Sequence, residues 1–136
     1  GVDLVVVARH RNVDVTPVVS KVAAGAAESQ AIVQVSNLVR FLETLKDQNL
    51  WIVGTDDAAD TSLYDVDLTT GIALVLGAEG EGLRRLTSER CDHRVRLPMH
   101  GTVSSLNVAV ATGICLYECL RQRSASLRLP GTRPVR

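Results

Sequence analysis

Apolar residues come in short runs separated by polar, turn-forming stretches, and the spacing within the runs alternates between two kinds. Leu4–Val7 ("LVVV") is a continuous apolar run of strand length, bounded by charge. Ala31–Val35, Leu50–Thr55 ("LWIVGT") and Ile72–Gly77 read the same way, and His93–Pro98 alternates in character. Between these runs the spacing becomes helical. Thr16 followed by Pro17 is a helix start, a capping residue before proline at the first helical position, with Gly25 as the stop. Ser36 can cap a helix whose Leu38, Phe41, Leu42 and Leu45 share one face, and Asn49 marks its end. Leu83–Cys91 can form a short helix. The stretch "SSLNVAVATGICLYECLRQR" reads as a long one, with Leu106, Ala109, Val110, Ile114, Tyr117 and Leu120 among its apolar positions. Strands and helices alternating over short links predict an α/β fold, a largely parallel sheet flanked by helices. There is no internal repeat. The economical parse is one domain over residues 1–123 and a tail over 124–136.

Composition narrows the core. The chain has 136 residues, enough for one domain, with 46% apolar and only 3% aromatic residues. The core is therefore expected to be built from Val, Leu, Ile and Ala, as in a buried parallel sheet. No apolar run approaches a membrane span, and the opening run is too short for a signal peptide. The chain lacks an initiator Met and reads as a piece of a longer protein. Cys91, Cys115 and Cys119 are odd in number and lack CxxC spacing, which argues against a disulfide framework or a zinc site. Cys115 and Cys119 lie four apart on a predicted helix and read as packing residues, which suits a reducing compartment, the cytoplasm. Formal net charge is zero, so any contact with nucleic acid needs a local patch. After Glu118 the chain has no acid but carries Arg121, Arg123, Arg128, Arg133 and Arg136, for which a solvated tail is the plainer reading.

Candidate chemistry is thinly spread. "TDDAADTSLYDVD" holds five aspartates, yet it follows a strand and misses the calcium-loop pattern, so it reads as a solvated acidic loop. His10, His93 and His100 are scattered, and no metal site is expected. The nucleophile elbow and the P-loop are both absent, and "GAEGEG" is not the dinucleotide fingerprint. Two segments stand out. "GAEGEGLRR" puts Gly77, Gly80 and Gly82 between a strand and a helix, which serves either a plain turn or a close approach to a ligand. "LPMHGTVSSLNVAVATG" turns at Pro98 and Gly101, then brings Thr102, Ser104, Ser105 and Asn107 to a helix start, a place suited to anions or polar ligands. A cap by Ser104 or Ser105 explains one serine but not an asparagine within the first turn.

With both segments in view, the chain resembles the SpoU (TrmH-like) branch of the SPOUT superfamily, S-adenosylmethionine-dependent RNA ribose 2′-O-methyltransferases. "ALVLGAEGEGLRRLTSERCD" resembles that family's second motif and "LPMHGTVSSLNVAVATGICLYE" its third; "KVAAGAAES" and "LWIVGT" extend the likeness from Gly1 to about Arg123. Within the branch the likeness is strongest to enzymes acting on a guanosine of 23S ribosomal RNA. The resemblance implies a C-terminal trefoil knot, a homodimer, an RNA substrate and S-adenosylmethionine as cofactor, with no metal and no membrane. It implies a cofactor pocket lined by Gly54, Thr55, Leu76, Gly77, Leu97, Met99, Ser105 and Leu106, with Glu79, Asn107 and Ser105 as polar active-site residues. It also places the family's first strand and its first motif, with an Asn and an Arg that activates the 2′-hydroxyl, upstream of Gly1. Loss of that strand is expected to leave a neighbouring edge exposed. Two other readings compete: a fragment that binds cofactor and dimerises without catalysis, and a generic α/β nucleotide-binding domain, which accounts for "GAEGEG" but not for "GTVSSLNVAVA".

Overall fold

The computed structural model describes residues 1–9, 26–78 and 80–127. The helix start at Thr16 and Pro17, its stop at Gly25, His10, Glu79 and the tail arginines from Arg128 onward lie outside the described residues. The chain divides into two compact units, Gly1–Leu42 and Glu43–Arg136.

In the first unit β1 (Val5–Ala8) pairs in parallel with β2 (Ile32–Val35), Val5 opposite Ile32 and Ala8 opposite Val35. A short helix, α1 (Ala26–Ser29), precedes β2. Leu4, Val5, Ile32 and Val33 are all exposed. Helix α2 (Leu38–Asp47) begins in this unit. Its cap is Asn37, not Ser36. The Asn37 Oδ1 accepts the N–H of Arg40 at 3.0 Å, and its carbonyl accepts that of Phe41. The other end follows the sequence expectation. Asn49 takes φ of 61°, its N–H reaches the Lys46 carbonyl, and the Leu50 N–H reaches that of Leu45. That pair of bonds is a Schellman stop, with asparagine in the left-handed position.

The second unit holds a three-stranded parallel sheet in the order β4-β3-β5: β3 (Trp51–Thr55) lies between β4 (Ile72–Val75) and β5 (His93–Val95). The register sets Gly54 opposite Val75 on one side and Arg94 on the other. The expected single sheet is thus observed as two, both parallel. The strand ends are trimmed relative to expectation: β4 stops at Val75 and β5 at Val95. Helix α3 (Arg85–Arg90) connects β4 to β5, and α4 (Val108–Ser126) follows β5. Val53 and Val95 pack with Cys115 and Cys119 of α4, so these two cysteines are core residues, as their spacing suggested. Burial pushes the Cys115 thiol up to about 11, which leaves it an inert thiol at neutral pH.

The acidic stretch after β3 departs from a purely solvated loop. Asp57, Asp60, Asp65 and Asp67 are exposed, but Leu63, Val66 and Leu68 belong to the core, Leu63 and Leu68 fully buried. Backbone bonds from Leu63 to Arg96 and from Arg96 to Thr61 tie the loop to the continuation of β5. Helix α4 holds the other end. Gln122 accepts the Leu68 N–H at 2.8 Å and donates to the Val66 carbonyl, while Arg123 donates to the carbonyls of Leu68 and Thr70. Glu118, buried beneath them, accepts two bonds from Arg121 and one from Gln122.

The Arg121 bonds outweigh burial and hold the Glu118 carboxyl below its ordinary range. A depressed folded pKa means that this stabilisation is complete above the unfolded glutamate value and is lost as pH falls through the lower, folded one. The Asp92 carboxylate behaves alike: burial opposes its charge, but the Ile52 N–H and Lys46 overcome it. Melting temperature is therefore expected to fall as the solution is acidified below the ordinary carboxylate range. Glu118→Gln should flatten part of that fall; an unchanged acid limb in the variant would show that the Glu118 network is not among its causes.

Candidate functional site

The site grows from the C-terminal ends of the three parallel strands, where open α/β sheets place ligands. Beyond β4 the chain makes a tight loop. Ala78 and Gly82 exchange two backbone hydrogen bonds, at 3.1 and 2.8 Å. Gly80 and Gly82 have φ of 78° and 67°, values that favour glycine. Gly77 is glycine for another reason. A Cβ there would lie 2.7 Å from the Gly82 Cα and 2.6 Å from its carbonyl oxygen, both backbone atoms that cannot rotate aside.

Beyond β5, Leu97 and Met99 lead to a turn at Gly101, whose φ is 109°. Helix α4 starts later than the sequence suggested. Its cap is Asn107, whose Oδ1 accepts the N–H groups of Ala109 at 2.8 Å and Val110 at 3.4 Å. Neither Ser104 nor Ser105 caps it. The placement of Asn107 inside the first turn is therefore corrected: asparagine is among the best capping residues, and here it has that task. The cap uses only Oδ1, leaving the side-chain NH₂ for other partners.

These segments line an open cavity of about 90 Å³. Thr55 and Asp57 come from the end of β3. Leu76, Gly77, Ala78, Gly80 and Gly82 come from the glycine loop, and Val95, Leu97 and Met99 from β5 and beyond. Ser105, Leu106, Val108 and Ala111 come from the approach to α4 and its first turns. Its lining combines aliphatic side chains with backbone and hydroxyl groups, the kinds of group that fix small ligands.

The profile of the SpoU rRNA methylase family matches residues 1–117. The chain belongs to the SpoU rRNA methylase family. Over 125 residues this SpoU chain is 55% identical to the 23S rRNA (guanosine-2′-O-)-methyltransferase RlmB of Pseudomonas syringae pv. tomato, covering 92% of this chain and 50% of that one. The crystal structure of an RNA 2′-O ribose methyltransferase superposes with a TM-score of 0.82 at 35% identity, covering 91% of this chain and 47% of that one. The SpoU methyltransferase AviRb from Streptomyces viridochromogenes, solved in complex with the cofactor AdoMet, gives a TM-score of 0.81 at 32% identity, with coverage of 90% and 50%. The SpoU chain spans about half the length of the curated relatives it matches.

Of the residues singled out from the SpoU motifs, the structure brings Thr55, Leu76, Gly77, Leu97, Met99, Ser105 and Leu106 together around the cavity. Gly54 is set apart. Its open side faces Cys91 and Leu83, because alternation along β3 turns residue 54 away from the face that Val53 and Thr55 share. Asn107 adjoins the lining as a cap, and Glu79 lies outside the described residues. Sequence reasoning missed Asp57, Ala78, Val95, Val108 and Ala111, and named Gly80 and Gly82 only as turn glycines. Val108 and Ala111 carry a findable signal, since positions three apart on a helix share a face. Arg85 beside the glycine loop is paired with Glu89 at 2.8 Å. Among the described residues no three His, Cys, Asp or Glu side chains converge as a metal site. No described helix is long and apolar enough to cross a membrane.

Proposed function

We propose that this chain is the catalytic domain of an RNA ribose 2′-O-methyltransferase that uses S-adenosylmethionine and acts on a guanosine of 23S ribosomal RNA. The observation that carries the reading is the cavity at the strand ends, built from the two motifs that define the resemblance. Its residues fit the cofactor. The glycine loop lets backbone approach a flat adenosyl group where any Cβ at position 77 would collide with Gly82. Leu76, Leu97, Met99 and Leu106 supply apolar walls. The activity of the RlmB relative, and the cofactor held by AviRb, point the same way.

Bound there, S-adenosylmethionine supplies a methyl group on a positively charged sulfur. The chain's own residues bind, orient and exclude water. Thr55 and Ser105 offer hydroxyls, and the apolar walls keep water from competing for the methyl group. Orientation of the ribose hydroxyl supplies much of the acceleration. The hydroxyl is a poor acid and needs help to lose its proton. None of the described lining residues is a strong base, and the resemblance assigns that step to the Arg of the family's first motif. Glu79, by its place in the second motif, organises the polar side of the site, and the Asn107 NH₂ holds loop or substrate.

Asn107→Asp tests that last role, because aspartate keeps the cap but removes the NH₂. Stability is expected to stay within about 0.5 kcal/mol of wild type, with turnover reduced at least about tenfold, an effect on the scale of one lost charge-stabilising donor. Wild-type turnover would take the side chain out of the chemistry.

A second copy of the chain is part of this reading. Val110, Tyr117 and Leu120 of α4, and Leu127 just beyond it, are large apolar side chains left exposed, the kind of surface that marks an interface. A ribosomal RNA substrate places the work in the cytoplasm. The reading is tested by incubating the full-length protein with 23S rRNA and methyl-labelled S-adenosylmethionine, then digesting to nucleosides. Label in 2′-O-methylguanosine is expected; label on a base, or none, would overturn it.

A further inference from the structure

Two adjacent aspartates follow β3, and the structure gives them different work. Asp56 is engaged: Oδ1 accepts the Ala58 N–H at 2.9 Å, and Oδ2 pairs with the Arg94 guanidinium at 3.3 Å. Asp57 lines the cavity and makes no ion pair or side-chain hydrogen bond with any described residue. It is also the only ionisable side chain among the described lining residues. No cationic side chain is among the described lining residues. Its carboxylate therefore has no counter-charge among the described lining residues.

We propose that Asp57 makes this cavity select the sulfonium form of its ligand, favouring S-adenosylmethionine over the demethylated thioether S-adenosylhomocysteine. The inference rests on the cofactor reading above. The two compounds share the adenosine, the ammonium and the carboxylate, and they differ by the methyl group and the positive charge on sulfur. A lone carboxylate therefore adds attraction for the methyl donor that it withholds from the spent product. An exposed group is screened, so the discrimination is modest and salt-sensitive. Its consequence is functional: the transfer itself removes the charge that Asp57 favours, which eases product release and limits product inhibition. The residue stands outside the glycine loop and the serine-rich segment, which explains why the motifs did not point to it.

The test is calorimetric titration of the full-length protein, wild type, Asp57→Asn and Asp56→Asn, with each compound separately. For Asp57→Asn the affinity for S-adenosylmethionine is expected to drop about fivefold, the scale of an exposed charge pair, while that for S-adenosylhomocysteine changes less than about twofold on the same scale. Asp56→Asn, whose charge is engaged by Arg94, should leave the ratio of the two affinities near wild type. Equal weakening of both ligands in Asp57→Asn would overturn the proposal, since Asp57 would then read a shared group, and so would no change in either. Absence of binding by folded wild-type protein would instead overturn the cofactor reading beneath it.

Discussion

Replacing Gly77 by alanine is expected to abolish cofactor binding, with affinity for S-adenosylmethionine reduced at least about a hundredfold, the scale of a few kcal/mol of forced backbone displacement. The added methyl group would meet the Gly82 Cα at 2.7 Å and its carbonyl oxygen at 2.6 Å. Those atoms belong to a loop closed by hydrogen bonds between Ala78 and Gly82 in both directions. The loop cannot yield without losing its bonds, so it must shift as a body, and its residues form one wall of the cavity. Gly54→Ala is the natural comparison. There the new Cβ would meet the Cys91 Sγ at 2.5 Å and the Leu83 Cδ1 at 2.6 Å, side-chain atoms that can rotate, on a face away from the cavity. It should cost stability and spare most of the binding. Calorimetry and thermal melts of both variants separate the two effects. Wild-type affinity in Gly77→Ala would remove the glycine loop from the site.

The second large effect is on stability. Leu68→Ala is expected to destabilise the fold by about 3 kcal/mol, within the range for large-to-small changes in a packed core. Leu68 is fully buried in the cluster with Val53, Val95 and Cys115, and its backbone is held at both ends by α4, through Gln122 and Arg123. The loop has few ways to collapse into the space, so the cavity left behind should persist. Urea unfolding measures the change as a lower midpoint at constant slope. A loss under about 1 kcal/mol would mean that the stretch behaves as the solvated loop its aspartates suggest.

That stretch shows where the sequence was readable and where it was not. Hydrophobic runs marked all five strands among the described residues, and they placed the glycine loop and the serine-rich segment at strand ends, which is most of the site. Between Thr55 and Ile72 the charge pattern hid the packing. Leu63, Val66 and Leu68 are spaced by neither a helical nor a strand period, because a single 3-10 turn at Leu63–Asp65 and backbone bonds to Arg96 set their direction. Two of the helix starts were placed early for one reason. Serine was preferred at positions 36 and 104–105, although asparagine, one to three residues later, caps equally well and does so at Asn37 and Asn107. Gly54 was drawn into the lining by its neighbour Thr55, where strand alternation separates them. Asp57 was passed over because a five-aspartate stretch offers no local way to tell the engaged residue from the free one. Only the Arg94 pairing with Asp56, set by the register of β3 against β5, does so.

The central claim is that the strand ends of the second unit form the methyl-donor site, and the most direct measurement is a crystal structure of the full-length protein with S-adenosylmethionine. The account predicts the adenosyl group against Gly77 and Leu76, enclosed by Leu97, Met99 and Leu106, with the sulfur on the Asp57 side. A cofactor bound elsewhere on the protein, with this cavity empty, would contradict it.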